Sequence, residues 1–296
     1  MKVCGFTFIR NAEKFDFPVV EAITSVLPVC DHFVVAVGNS EDNTRGIIEK
    51  IDPKKIAITD TVWDETLQKG GAVYAVETDK AFDAIAPEYD WCFYIQGDEV
   101  LHEKYLPVVQ QAMHDHLLRR EVEGLLFGYR HFYGTYDYVG NSRKWYRNEI
   151  RIIRNDKNIR SYRDAQGFRN QGRKLNVVGV DAEIYHYGWV RPPGFMQEKI
   201  NEVKKFYDGT KALEDRIVIH EFPKEFDYQG NYDALAKFEG THPRVMRRRI
   251  NRLNWKVEVD LRQIKMKPRY RLLHFIENMF GVRLFEYRNY RILKNS

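Results

Sequence analysis

The stretch that decides the fold is Trp91-Cys92-Phe93-Tyr94-Ile95-Gln96-Gly97-Asp98-Glu99-Val100-Leu101. Its first five residues are apolar or aromatic, which is typical of a strand buried on both faces of a sheet. Two carboxylates, Asp98 and Glu99, follow this run directly. A carboxylate in that place is costly unless it pairs with a base or binds a cation. The alternative, that Asp98 caps a helix and Glu99 is solvated, stays open at this point.

Strand-like and helix-like segments alternate on the N-terminal side of this stretch. Apolar runs predict four strands, at residues 3–9, 33–37, 56–59 and 91–95. A helix is predicted after Asp16 as N-cap with Pro18 in its first turn, and another over residues 72–85. A β-α-β-α order of this kind predicts an α/β fold with a mostly parallel sheet and helices on both faces.

The second half of the chain changes character. Strands rich in Tyr, Phe and Arg are predicted at residues 124–133, 149–154 and 177–187, and a helix over residues 195–207. We find no internal repeat and no low-complexity linker. The sequence therefore predicts one catalytic-type domain over residues 1–243 and a basic helical C-terminal extension over residues 244–296.

Charge and cysteine content narrow the class of protein. The chain has 296 residues and a net charge of +5, but residues 244–296 carry 15 Lys and Arg against 4 Asp and Glu. The body before them is therefore acidic. No apolar run approaches the roughly 18 residues that span a bilayer, and no signal-peptide pattern follows Met1. Cys4, Cys30 and Cys92 lack metal-ligand spacing, so we expect buried free thiols in a reducing cytoplasm.

Ligands of open α/β sheets bind beyond the carboxyl ends of the strands. Polar residues follow three of the predicted strands there: Arg10-Asn11, the turn Asn39-Ser40-Glu41-Asp42-Asn43-Thr44, and Asp98-Glu99. These three groups are therefore the first candidates for a ligand site.

The same stretches resemble family 2 glycosyltransferases of the GT-A fold. The resemblance rests on residues 5–13 with Arg10-Asn11-Ala12-Glu13, residues 33–44, and residues 91–101 with the Trp-led strand. It implies a GT-A-like, Rossmann-type sheet and a hexosyltransferase-type enzyme that moves a sugar from a nucleotide-sugar to an acceptor hydroxyl, with inversion. It also implies Mg²⁺ or Mn²⁺ at the leaving diphosphate, with Asp98 as a metal ligand.

Two positions depart from the family pattern. Gln96 stands for the first aspartate of Asp-x-Asp, and Val37 stands for an aspartate at the end of the second strand. The resemblance then gives donor binding to Arg10, Asn11, Gln96 and Asp98, with Asn39, Glu41 and Asp42 taking over part of the missing aspartate's role.

The resemblance implies two further site residues, each with a structural alternative. His186, in Tyr185-His186-Tyr187, would complete the metal site, or would be a core histidine bonded to backbone. Asp164 would be the general base, or would only pair with Arg160 or Arg163.

Aromatic and basic segments suggest the other partners. Tyr133, Tyr136 and Trp145 could form an acceptor wall, since sugars stack on aromatic rings, or could belong to the core. The basic end suits an anionic membrane surface or a phosphorylated glycolipid, whereas nucleic acid is the less favoured partner. The alternative is a helical extension packed on the acidic body.

The sequence therefore predicts a nucleotide-sugar glycosyltransferase acting on a glycan or glycolipid. The resemblance implies bacterial surface polysaccharide or lipopolysaccharide synthesis, in the cytoplasm or at the inner membrane face. The rival functions are an impaired carbohydrate- or nucleotide-binding protein that kept the fold, and a nucleotidyltransferase. The second rival is disfavoured because Arg10-Asn11-Ala12-Glu13 lacks the glycines of a phosphate-binding loop.

Overall fold

A computed structural model describes residues 1–208 and 223–293 of the chain. Residues 209–222 of the predicted catalytic domain and 294–296 of the predicted extension lie outside the described residues. The strands are β1 (Val3–Ile9), β2 (His32–Gly38), β3 (Ile56–Thr61), β4 (Trp91–Tyr94), β5 (Glu99–Leu101), β6 (Gly124–Tyr133), β7 (Tyr138–Gly140), β8 (Asn148–Arg154), β9 (Ile159–Tyr162), β10 (Gly167–Asn170), β11 (Arg173–Lys174), β12 (Asn176–Trp189), β13 (Leu235–Lys237) and β14 (Arg291–Ile292).

Helices connect and cover these strands. The α-helices are α1 (Val19–Val26), α2 (Thr44–Glu49), α3 (Ala72–Asp83), α4 (Leu106–Asp115), α5 (Pro193–Asp208), α6 (Arg247–Asn251) and α7 (Pro268–Phe280). Short 3₁₀ turns cover Leu27–Val29, Glu103–Tyr105 and Arg244–Met246.

The first four strands are parallel and take the order β3-β2-β1-β4. This order follows from right-handed crossovers that pass through α1, α2 and α3. Every residue of β4 is buried, as its apolar composition predicts. The predicted α/β class, a sheet flanked by helices, is confirmed.

The sheet becomes mixed beyond β4. Strand β8 runs antiparallel to both β4 and β6, whereas β12 runs parallel to β6 and antiparallel to β5. The described strands thus form one sheet of 11 strands, with β9, β10 and β11 in a separate three-stranded sheet. Because β5 pairs with the end of β12, Glu99 faces His186 in the register and the predicted site residues of these strands meet.

Three expectations for individual residues need correction. Asp16 is not a helix N-cap: α1 begins after Pro18, and Asp16 has a left-handed φ of 48° and forms an ion pair with Arg249. Tyr133 and Tyr136 are 1% and 6% exposed, so these two candidates for an acceptor wall are core residues. Their partners are aromatic residues of β12 and of the chain after residue 226, which are distant in sequence.

The three cysteines are free and buried, as predicted. Burial raises the pKa of the Cys4 thiol to about 12. These thiols are therefore protonated at neutral pH and pack as small apolar groups.

The C-terminal residues pack on the body and rejoin the sheet. Arg249 forms ion pairs with Asp16 and Glu21, and β14 pairs in parallel with β12. The boundary between residues 243 and 244 stays a prediction. Among the described residues, no helix is both long and apolar enough to cross a membrane.

Candidate functional site

A cleft of about 380 Å³ opens at the carboxyl ends of β1 and β4, and α5 covers its far side. We call it the donor cleft, after the donor-binding residues that the sequence predicts at this edge of the sheet. Ligands of parallel α/β sheets bind at this edge because the strand ends diverge there. Six predicted site residues line it: Arg10, Asn11, Gln96, Asp98, Asp164 and His186.

Asp98 is surrounded by the nitrogen atoms of two cations and a histidine. Its Oδ2 is 3.1 Å from Lys199 Nζ and 3.8 Å from Arg191 Nη2, and its Oδ1 is 3.7 Å from His186 Nε2. Burial alone would raise the pKa of Asp98, but Lys199, His186 and Arg191 outweigh burial and hold that pKa well below its usual range. Asp98 is therefore a carboxylate at any physiological pH.

Burial destabilises the charged forms of Arg191 and Lys199. The Arg191 guanidinium is fully buried, and its Nη2 has no hydrogen-bond partner among the described residues. Burial and the neighbouring Arg191 lower the pKa of Lys199 to about 8, although Asp98 opposes this shift. Lys199 lines the cleft and Arg191 is buried behind it, and two cations so placed favour the binding of an anion in the cleft.

The tautomer of His186 follows from a chain of hydrogen bonds. His131 Nε2 lies 2.9 Å from the Tyr146 carbonyl, which can only accept, so this nitrogen carries the proton. Burial lowers the pKa of His131 to about 3, so its Nδ1 is unprotonated and accepts from His186 Nδ1 at 3.0 Å. Burial also lowers the pKa of His186. The Nε2 of neutral His186 therefore presents a lone pair towards Asp98 Oδ1.

This pair of lone-pair donors fits a divalent cation. One Mg²⁺ or Mn²⁺ at about 2.1 Å from each atom can touch both across the 3.7 Å gap. Gly188 keeps the space open, because a Cβ there would lie 2.5 Å from the His186 ring and 3.0 Å from Asp98 Oδ2. No cluster of three or more His, Cys, Asp or Glu side chains within residues 1–208 and 223–293 could hold a metal alone. The remaining ligands would come from a bound phosphate and from water.

A buried ion pair supports the strand end that carries Asp98. Glu99 accepts two hydrogen bonds from Arg151, at 2.8 and 2.7 Å, and a third from Tyr129 at 2.8 Å. Both charged side chains are fully buried. Glu99 is therefore not solvated. Its buried ion pair with Arg151 holds the turn between β4 and β5 in place. Gln96 also braces this turn, because its amide donates to the Ala165 carbonyl at 3.2 Å.

The turn after β2 stays outside the cleft lining. Asn39 and Asp42 accept hydrogen bonds from backbone N–H groups of Trp63 and Lys14, and Glu41 forms an ion pair with Lys14. Asn11 Oδ1 accepts from the Glu41 N–H at 2.8 Å. These contacts hold the loop after β1 in place. Direct donor contacts of Asn39, Glu41 and Asp42 stay predictions.

Asp164 lies at the mouth of the donor cleft and also lines a second cavity beside it. Its Oδ2 accepts a hydrogen bond from the Tyr207 hydroxyl at 2.7 Å. The adjacent residues Arg163 and Ala165 have left-handed φ values of 57° and 62°, which cost energy for residues other than glycine. A pairing of Asp164 with Arg160 is not formed, because Arg160 pairs with Asp83.

Aromatic rings form the other end of the donor cleft. Trp63 packs against Tyr74 and Phe206, with ring centroids 5.7 and 5.6 Å apart. Trp63 Nε1 and Arg10 Nη1 are buried without hydrogen-bond partners in the part of the chain that the structure describes. Trp145 lies outside this cleft and lines the second cavity.

Sequence reasoning missed Lys199, Arg191 and His131. The sequence pattern does indicate that Lys199 is buried, because Lys199 falls at helical spacing among the apolar Met196, Val203 and Phe206 of α5. A charge inside an apolar stripe indicates a buried partner. The local sequence of Arg191, with a valine before it and two prolines after it, instead indicates an exposed loop residue.

Comparison with known proteins gives similarity at the level of structure. No protein-family model and no curated protein sequence matches the chain. The structure of S. aureus TarS is similar with TM-score 0.39 and 18% identity, covering 74% of this chain and 42% of that one. TarS 1-349 in complex with UDP-GlcNAc has TM-score 0.33 and 20% identity, covering 45% of this chain and 36% of that one.

A third similar structure is glucosyl-3-phosphoglycerate synthase from Mycobacterium tuberculosis in complex with Mn²⁺, UDP and glucosyl-3-phosphoglycerate. It has TM-score 0.30 and 14% identity, covering 45% of this chain and 44% of that one. This chain thus spans less than half of the length of each of these three structures.

Proposed function

We propose that this protein is a glycosyltransferase that binds a nucleotide-sugar in the donor cleft and transfers the sugar, with inversion, to an acceptor hydroxyl. The observation that carries the proposal is the group around Asp98. A single carboxylate meets Lys199, Arg191 and the bare Nε2 of His186 at the end of a parallel strand. A diphosphate in the cleft would lie against Lys199, which lines it, and within the field of the buried Arg191 behind Asp98.

The two ends of the cleft differ in their residues, which suits a donor with two chemically different ends. The aromatic end, with Trp63 and Tyr74, suits the stacking of a base or a sugar ring. The charged end, with Asp98 and Lys199, suits the diphosphate. If the sugar ring takes the aromatic end, its anomeric carbon would lie near Asp164, which is bonded to Tyr207 beside Tyr74.

Asp164 is the proposed general base. Its carboxylate takes the proton from the acceptor hydroxyl while the acceptor oxygen forms a bond to the anomeric carbon. The bond from that carbon to the donor's diphosphate oxygen breaks, and the nucleoside diphosphate leaves with the electron pair. The Tyr207 hydroxyl holds the carboxylate in place through its 2.7 Å hydrogen bond.

Asp98 Oδ1 and His186 Nε2 are the proposed ligands of Mg²⁺ or Mn²⁺, and His131 fixes the tautomer that His186 needs. When bound, the ion supplies electrostatic stabilisation of the leaving diphosphate. Lys199 and Arg191 add fixed positive charge in the same place. Because only two protein ligands face the ion, we expect metal and nucleotide to bind together.

Calorimetry with UDP-GlcNAc and UDP, followed by GDP-, TDP- and CMP-sugars, tests the donor and metal together. We expect Mn²⁺ alone to bind weakly, and we expect each of the two ligands to tighten the binding of the other at least tenfold. Asp98→Asn should abolish this coupling, because the variant loses the metal ligand and the counter-charge of Lys199. Asp181→Asn, an exposed carboxylate of β12, is the matched control.

The outcomes separate the rival functions. Nucleotide binding without transfer to any acceptor would favour a binding protein that kept the fold. Binding of no nucleotide, with or without Mn²⁺, would contradict the proposal. Release of diphosphate from a nucleoside triphosphate would indicate a nucleotidyltransferase.

We also propose that the basic extension binds an anionic membrane surface, in keeping with synthesis of a surface polysaccharide or lipopolysaccharide. Helix α7 buries none of its residues, and Leu272, Phe275 and Met279 form an exposed apolar stripe at helical spacing. Lys267, Arg269 and Arg271 are exposed beside the stripe without ion pairs in the described chain. A second copy of this chain fits less well, because two such basic surfaces would repel each other.

Liposome sedimentation tests this surface. The protein should bind vesicles containing anionic lipid more tightly than neutral vesicles, and added salt should weaken the binding. Leu272→Ser with Phe275→Ser should reduce binding at least tenfold, because the variant loses about 0.8 kcal/mol for each apolar CH₂ that would enter the lipid. Leu118→Ser, at an exposed leucine outside the extension, is the control. Dimers without vesicle binding would contradict the proposal.

A further inference from the structure

A second cavity lies beside the donor cleft, and its walls come from two distant parts of the chain. Its volume is about 330 Å³, within the range of ligand pockets. One wall includes the loop that joins β7 to β8 and the start of β8. The other consists of residues 283–290 together with Tyr270 of α7. Tyr146, Asp164 and Gln166 line both the cavity and the donor cleft. The two spaces are therefore adjacent, with the proposed base between them.

Some residues that line this cavity carry buried polar atoms without hydrogen-bond partners. Glu149 is 6% exposed, and its Oε2 has no hydrogen-bond partner among the residues described. The Oδ1 of Asn289 and the Nε1 of Trp145 are also buried and unpaired in the described structure. Trp145 Nε1, however, lies against Gly140 outside the cavity. Leaving a buried polar atom unpaired costs about 1–3 kcal/mol, so the unpaired oxygens of Glu149 and Asn289 favour a polar ligand in this cavity.

Gly167 allows two of these groups to approach each other. A Cβ at residue 167 would lie 2.2 Å from Asn289 Nδ2 and 3.4 Å from Glu149 Oε2. A larger residue would thus push the C-terminal wall away from β8. Rings of Tyr146, Tyr162 and Tyr290 line the same cavity, and rings of this kind stack on sugar faces.

Positive charge exceeds negative charge around the cavity. The basic residues that line it are Arg143, Lys144, Arg147, Arg163 and Arg283, and the acidic residues are Glu149, Asp164 and Glu286. Three of these arginines already share Glu277 outside the cavity. Lys144 and Arg163 are exposed on the rim and form no ion pair within residues 1–208 and 223–293. They are the cations available to an incoming anion.

We infer that this cavity binds the acceptor, and that the acceptor is a saccharide carrying a phosphate or carboxylate group. The inference rests on the proposed function, which it deepens. The sugar hydroxyls pair with Glu149 and Asn289, and one hydroxyl reaches Asp164. The anionic group lies at the rim against Lys144 and Arg163. The C-terminal residues 270–290 thus form a wall of the active site.

Direct binding of simple sugars tests the inference without a donor. The probes are glucose 6-phosphate, glucuronate, glucose and inorganic phosphate, measured by ligand-detected NMR with the full chain. We expect both anionic sugars to bind at least tenfold more tightly than glucose and than phosphate alone, because a charge-assisted hydrogen bond adds to the ring contacts. The double variant Lys144→Gln/Arg163→Gln should lose this preference. The matched control Arg248→Gln, at an exposed arginine that does not line the cavity, should keep it.

The remaining outcomes distinguish this inference from the proposed function. Equal binding of glucose and glucose 6-phosphate, or an anion preference that persists in the double variant, overturns the inference. Phosphate binding as tight as sugar-phosphate binding overturns the saccharide part. UDP binding is measured in parallel: if UDP binds while the anion preference is absent, the inference fails and the proposed function stands. Binding of anionic sugars without any nucleotide binding overturns the donor instead.

Discussion

Replacing Arg151 by methionine should lower the free energy of unfolding by about 3–5 kcal/mol, because the variant leaves Glu99 charged, buried and without its partner. Arg151 and Glu99 are both fully buried and share two hydrogen bonds. Tyr129 still donates to Glu99 in the variant, but one phenol does not balance a charge. Urea unfolding at pH 7 measures the loss.

A double variant separates the charge effect from lost packing. In Arg151→Met/Glu99→Gln neither residue carries a charge, and the introduced glutamine still accepts a hydrogen bond from Tyr129. We expect this variant to recover at least half of the loss. Arg248→Met, at an exposed arginine, should change stability by no more than about 0.5 kcal/mol. A loss below about 1 kcal/mol in Arg151→Met would contradict the structural role of the pair.

Replacing Glu149 by glutamine should make the protein more stable at high pH, by up to about 5 kcal/mol. Burial, which Arg151 only partly offsets, raises the pKa of Glu149 from its ordinary 4.5 to about 8. Below pH 4.5 the group is protonated in both the folded and the unfolded chain. Between these two values only the unfolded chain releases the proton, so the native protein loses stability as the pH rises. Above about pH 8 the difference is constant.

The measurement is the stability difference between Glu149→Gln and the native protein from pH 4 to pH 9. Subtraction cancels the titration of other groups, so the difference should be small at pH 4, grow through neutral pH and level off near pH 8. Glu239→Gln, at an exposed glutamate, should show a flat difference. A flat difference for Glu149→Gln would show that the carboxyl is ionised and solvated in the native protein.

The sequence predicts the parallel half of the sheet well, for a physical reason. Strands β1 and β4 are buried on both faces, so nearly every residue must be apolar and the run itself marks the strand. Their ends then locate Arg10, Asn11 and Asp98 at one edge of the sheet. The short strands β9, β10 and β11 lack such a run, because polar and charged residues interrupt or replace the apolar ones.

The remaining site residues depend on contacts between distant parts of the chain. The local sequence suggests a sugar-stacking role for Tyr133, but its hydroxyl donates to the Tyr228 carbonyl, 95 residues away. No local pattern indicates that partner. The burial of Arg191 likewise depends on the Phe15 carbonyl, which accepts its Nε–H from 176 residues away. In both cases the composition of the segment suggests a surface, and the tertiary fold buries the residue.

The shared wall of the two cavities has a consequence for how this protein can change over evolution. Tyr146, Asp164 and Gln166 contribute to both spaces, so a substitution that reshapes one also reshapes the other. Selection for a new donor would then disturb the acceptor, and the reverse. Changes confined to one substrate must instead come from the outer walls, namely the rings beside Trp63 for the proposed donor and residues 283–290 for the proposed acceptor. Variation among natural relatives should concentrate in those two walls.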